Sequence, residues 1–219
     1  MGAGPDALTA ERGRVRDGFG RLARIALRWW LSSVAMIHVL LGRRRASLAA
    51  YERILALHPG DGIALATVGS LRAELGDSAA AVAAFRRVVA TDPHRAEGWF
   101  NLGYLLENRG ELDEAESCFR RAVALKPSLD RAWYGLGLVL IGQGRLSDAV
   151  PVLQRNTELQ PLSPYGWYQL AMTYHHLGQS SEARRIYASL SRFEPRYAAT
   201  LLRDLDRTTP ASTRSESCP

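Results

Sequence analysis

Residues 96–129 read AEGWFNLGYLLENRGELDEAESCFRRAVALKPSL, and the outline of that stretch recurs on both sides of it at a fixed spacing. Pro59, Pro93, Pro127, Pro161 and Pro195 fall 34 residues apart, and Gly42, Gly76, Gly110, Gly144 and Gly178 keep the same interval. Proline and glycine end or redirect helices for backbone reasons, so their common phase divides the chain into equal cells. Self-similarity at such a period marks a stacked repeat array. An array declares a binding surface without naming what binds there.

The cells run 28–61, 62–95, 96–129, 130–163 and 164–197. Position four of each holds Leu31, Leu65, Trp99, Trp133 and Trp167, and position seven Val34, Val68, Leu102, Leu136 and Leu170. Position eight holds Ala35, Gly69, Gly103, Gly137 and Ala171. Beyond the glycine, position twenty holds Ser47, Ala81, Ala115, Ala149 and Ala183, and position twenty-four Tyr51, Phe85, Phe119, Leu153 and Tyr187. Offsets of 4, 7, 8 and 11 within a cell trace one stripe of a helix. The stripe stops at the glycine and resumes in a second helix, so each cell is a hairpin of two short helices. Small residues at positions eight and twenty let the two backbones approach, and the large ring at position twenty-four fills the space between hairpins. No hairpin can bury its apolar face alone, so stability comes from its neighbours.

Trp99-Phe100-Asn101-Leu102-Gly103-Tyr104, followed by Ala115, Phe119, Ala122 and Pro127, resembles the tetratricopeptide repeat (TPR) family. The resemblance covers residues 28–197 and is weakest in the first cell, where Leu31 replaces the tryptophan, His38 stands at position eleven and Ser47 replaces alanine. It implies an all-α solenoid of five hairpins in a right-handed superhelix. Arg72 and Asn156 depart from the pattern, and a buried Asn156 needs a hydrogen-bond partner.

At 219 residues with 47% hydrophobic content, the chain leaves no material for a separate catalytic domain. Residues 1–27 form a basic segment expected to be helical, 198–206 a short capping helix, and 207–219 a polar tail expected to be disordered. The net charge of +6 is localised: residues 9–45 carry nine arginines against Glu11 and Asp17, and the remainder of the array is balanced. That distribution argues against nucleic acid as a partner, which would call for cations along a groove. Cys118 and Cys218 make no disulfide framework, and Cys118 reads as a packing residue.

Val15, Phe19, Leu22 and Trp29 are spaced as on one helix face, with arginines between them, and Leu31 to Leu41 is strongly apolar. Three readings compete. The stretch is the first helix of repeat one with its surplus apolar surface covered by residues 9–27; or an interfacial anchor at an anionic membrane; or a true span. The interfacial reading uses residues 9–41, with Arg21, Arg24, Arg28, Trp29 and Trp30 at the headgroups. The uninterrupted apolar run from Trp29 to Leu41 is short of the ~20 residues that a span requires. With no export signal, a cytoplasmic location is the expectation, and a peripheral or anchored position at the cytoplasmic membrane the alternative.

Catalytic groups are sparse. His175 and His176 are adjacent and point apart on a helix, His58 and His94 flank repeat prolines in turns expected to be solvated, and no metal-ligand spacing or phosphate loop stands out. The reading is therefore not an enzyme, with no cofactor and no metal. By the resemblance, first helices line the concave face through positions two, five, nine, twelve and thirteen. The candidate peptide groove is then Glu97, Phe100, Tyr104, Glu107, Asn108, Arg131, Tyr134, Leu138, Tyr165, Tyr168, Met172 and His175. Family members that grip the C-terminal carboxylate of heat-shock chaperones use Lys, Asn and Arg at such positions, a set missing here. The functional expectation is a scaffold that holds a protein or peptide segment in this groove to support complex assembly. The alternative is a membrane-associated assembly or targeting factor, and self-association through the terminal repeats is a further possibility.

Overall fold

A computed structural model describes residues 25–208; those residues are α-helical with short turns and no strands among them. Helix α1 covers 25–40, and α2 is Arg44–Leu57, α3 Gly62–Glu74, α4 Ser78–Thr91, α5 Ala96–Asn108 and α6 Leu112–Leu125. They are followed by α7 Asp130–Gly142, α8 Leu146–Leu159, α9 Pro164–His176, α10 Ser180–Phe193 and α11 Pro195–Thr208. The basic segment expected at the N-terminus lies outside the described residues except for 25–27, as does the tail from 209 onward.

Every phased glycine does the same job. Gly42, Gly76, Gly110, Gly144 and Gly178 have φ between 67° and 83°, the left-handed region that costs other residues a Cβ clash. Each closes the first helix of its hairpin with a Schellman cap. The Gly76 N–H donates to Ala73 O at 3.0 Å, and the following Asp77 N–H to Arg72 O at 2.9 Å. The other four glycines repeat the pair.

The chain divides into two compact units, 1–93 and 94–219. In the first, α1 to α4 enclose a core of Leu31, Ala35, Tyr51, Ile54, Ala64, Val68 and Leu71. Asp61 accepts from the N–H groups of Ile63 and Ala64 at 3.1 Å, capping α3, and its carboxylate also takes the Arg28 guanidinium at 2.7 Å. Arg72, out of place in the repeat pattern, bonds Asp77 at 3.0 Å and also Glu52 on α2, so it fastens two hairpins together. His58 is not solvated as expected: its Nε2 is buried without a hydrogen-bond partner.

In the second unit α5 lies beside α7, α7 beside α9, and α9 beside α11, with α6, α8 and α10 behind them. The small residue at position eight faces the large one at position twenty-four. A Cβ on Gly103 would stand 3.1 Å from the Phe119 ring, and one on Gly137 2.5 Å from Leu153. Phe119 also reaches the next hairpin, since a Cβ on Gly135 would fall 2.6 Å from its ring. Asn156 is buried and satisfied, its Nδ2 donating to Asp130 O at 2.9 Å. The Trp133 and Trp167 indoles donate to Pro127 O and Pro161 O, each at 2.9 Å. Tryptophan and proline, 28 positions apart within a cell, are thus neighbours across the cell boundary.

The C-terminal helix differs from its expectation. It runs Pro195–Thr208 rather than 198–206, taking in Arg207 and Thr208 from the expected tail. Pro195 opens it directly, where the missing N–H costs nothing, whereas the inner repeat prolines sit in turns. Ala198, Leu201 and Leu205 are its buried residues, and Leu201 stands 34 after Trp167. It packs on both α9 and α10. It thus takes the place that the first helix of a further repeat would occupy.

Candidate functional site

The sequence-derived groove residues all lie in the second unit, on α5, α7 and α9, and the structure brings most of them together. On α5 the Phe100 and Tyr104 rings stack with centroids 6.5 Å apart, and Phe100 leans on Phe119 behind it at 6.0 Å. The Arg131 guanidinium of α7 lies over the Phe100 ring, 4.9 Å from its centroid, a cation–π contact that spends the floor's cation on the protein itself. Glu97 is engaged too: the Lys126 ammonium, 2.8 Å away, holds its carboxyl below the usual range. Asn108 turns its amide to Tyr104 O at 2.9 Å.

The centre of the row is Tyr134. Burial pushes its hydroxyl up, Gln169 is its hydrogen-bonding neighbour, and Glu107 and Tyr165 lie in electrostatic reach. Glu107 is itself half-buried, and loss of water pushes its carboxyl above the ordinary value. Tyr104 and Tyr165 remain 53% and 58% exposed beside these groups, offering rings to solvent. Leu138 and Met172 are half-buried between the rows.

Toward the C-terminus the row is partly taken up by α11. The Tyr168 hydroxyl donates to Asp204 at 2.6 Å, and burial together with that carboxylate pushes its pKa up to about 12. Tyr165 meets Tyr197 edge-to-face at 5.5 Å. Tyr168 is therefore a docking point for α11 rather than an open contact. Tyr197, Asp204, Gln169 and Lys126 were missed by sequence reasoning. Carrying the 34-residue spacing one step past the last cell would have exposed α11 as a first helix and brought Tyr197 and Asp204 into view. His175 is pushed down by burial, with His176 stacked edge-on at 5.8 Å. No group of three metal-ligating side chains occurs among the described residues. A separate open cleft of about 680 Å³ lies among α8, α9 and α10, lined by Trp167, Tyr174 and the ion-paired Glu182 and Arg185. Gln154 is bonded to Tyr174 there and Glu182 to Arg185, and the aromatic row carries the stronger recognition chemistry.

Of the membrane-facing candidates, Arg21 and Arg24 lie outside the described residues. Arg28 is committed to Asp61, while Trp29 and Trp30 are exposed. No helix among the described residues is long and apolar enough to cross a membrane.

No curated protein matches the chain in sequence. Solved structures match in fold: MamA with a TM-score of 0.73, 21% identity, and 79% of this chain and 94% of that chain covered. YrrB, a TPR protein with an unusual peptide-binding site, matches with a TM-score of 0.69, 19% identity and coverage of 79% and 90%. PilF of Pseudomonas aeruginosa gives a TM-score of 0.67 at 18% identity, with coverage of 87% and 96%. The family described as the cilia and flagella-associated protein 70 middle TPR-like domain matches residues 72–194, more than half of the 219. With its phased glycines, its hairpins and that match, the chain belongs to the tetratricopeptide-like repeat family.

Proposed function

We propose that the chain is a non-catalytic scaffold whose face on α5, α7 and α9 holds a segment of another protein. The observation that carries this reading is the row Tyr104, Tyr134 and Tyr165, with Glu107 half-buried among them. Tyrosines supply large rigid contact area and a hydrogen-bonding tip, the combination that suits capture of a peptide in a half-wet groove. Glu107 adds direction. A carboxylate already stripped of part of its water gains most from a cationic partner, and the groove's Arg131 is turned onto Phe100, seven residues before Glu107 on α5. The segment that fits is apolar with a Lys or Arg placed to reach Glu107. The peptide-binding site of the fold neighbour YrrB supports peptide capture as a use of this architecture.

The test is affinity capture with wild type and the double variant Tyr104→Ala, Tyr134→Ala, with circular dichroism confirming that the helices survive. Loss of the captured partners is the expected result. An unchanged partner set on a folded variant overturns the groove assignment.

A further inference from the structure

Repeat position three holds Ala64 in the second hairpin and Ala132 in the fourth, 1% and 0% exposed, and position ten holds Leu71 and Val139, likewise buried. These two positions are where a first helix meets what precedes it. In the first hairpin they are Trp30 and Ile37, 56% and 54% exposed. At 3.6 residues per turn, Trp29, Met36 and Leu40 continue the same open side of α1, away from the buried Leu31 and Ala35. Only Ser33 interrupts this face, and it folds its hydroxyl back onto Trp29 O at 3.0 Å.

A bulky tryptophan where later repeats use alanine or glycine does not admit another hairpin at their close spacing. It suits a deformable apolar medium, and indoles favour the boundary between hydrocarbon and water. The charge beside the face has one sign. Arg43, Arg44 and Arg45 follow directly on α1, all exposed, and only Arg44 is answered by an acid, Glu74. A second copy docked symmetrically here would bring like charges together, whereas an anionic surface would be attracted.

We propose that the exposed face of α1 docks on an anionic lipid bilayer, Trp29, Trp30, Ile37 and Leu40 entering the interface and Arg43 and Arg45 meeting the headgroups. At 1.5 Å rise per residue, the apolar stretch from Trp29 to Leu40 is about 18 Å long, well short of a hydrocarbon core, so on this proposal it lies along the surface.

The experiment is co-sedimentation of the full chain with vesicles of phosphatidylcholine containing phosphatidylglycerol, against phosphatidylcholine alone. Binding to the anionic vesicles is expected, with a blue shift of tryptophan emission. Ile37→Glu with Leu40→Glu, both on the surface, should weaken it about tenfold or more. Arg43→Glu with Arg45→Glu should weaken it at least about fivefold and spare the helical signal. Absence of binding, or binding unmoved by Ile37→Glu with Leu40→Glu, overturns the proposal. So does a dimer in lipid-free sedimentation velocity that this pair dissolves, which would assign the face to a second copy.

Discussion

The first helices of the first and fourth hairpins carry the same repeat positions to different outcomes. On α7, position ten is Val139, fully buried, and position three is an alanine. On α1 the same positions are an isoleucine and a tryptophan, and both are open to solvent. The second unit finishes its stack with α11, whose Leu201 and Leu205 give the last hairpin something to pack on. At the start of α1 the described chain offers no such cover to Trp30 and Ile37. A repeat position is therefore a place in a stack, and its physical role depends on whether a neighbour occupies the adjoining place. The polar aromatic row on α5, α7 and α9 and the aliphatic–indole face on α1 are accordingly different kinds of surface, suited to different partners.

That contrast can be broken by measurement, and the largest effect lies in the interior. Phe119 is fully buried and wedged against both Gly103 and the next hairpin's Gly135. Phe119→Ala should cost about 3–5 kcal/mol in urea unfolding, because the cavity spans two hairpins. A loss below about 1 kcal/mol would mean that the hairpins do not depend on one another there. The next comparison uses position ten directly: Leu71→Ala should cost about 2–5 kcal/mol and Ile37→Ala no more than about 0.5. Equal costs would show that something covers α1 in solution.

The smallest effect is electrostatic. Burial on its own raises the Asp61 carboxyl, but Arg28 and the N–H groups of Ala64 and Ile63 outweigh it and hold the group below its ordinary value. Its contribution is then fully present above the ordinary carboxylate range and fades as pH falls through the lowered folded value. Asp61→Asn keeps a competent helix cap and removes the charge. It should cost about 0.5–1 kcal/mol near neutral pH, with the gap from wild type closing in acid. A gap independent of pH would assign the loss to something other than the Arg28 pair.

Much of this fold was legible in the residues. The glycines read as turns because only glycine takes a positive φ without a Cβ clash, and all five phased ones have it. The small residues at positions eight and twenty and the ring at twenty-four could be read from spacing; that Gly103 faces Phe119 came from the packing. The tryptophan–proline hydrogen bond was not legible. Its two groups are consecutive neighbours only across a cell boundary, and an indole in a helical stripe reads simply as bulk. Arg72 looked like a fault in the pattern until Glu52 and Asp77 were seen to answer it. Tyr168 read as a groove residue because its position is right; that Asp204 holds it follows from α11 packing on α9, which spacing within a cell does not show.

Local backbone chemistry, repeated every 34 residues, was enough to define hairpins, their turns and the stripes that seal them. Those depend on φ, on helical periodicity and on side-chain volume, all written within one cell. Which stripes are covered was settled only in three dimensions, because burial belongs to pairs of elements and not to either alone. Leu71 and Ile37 hold equivalent places with similar side chains, and the presence or absence of a neighbour makes one of them core and the other surface.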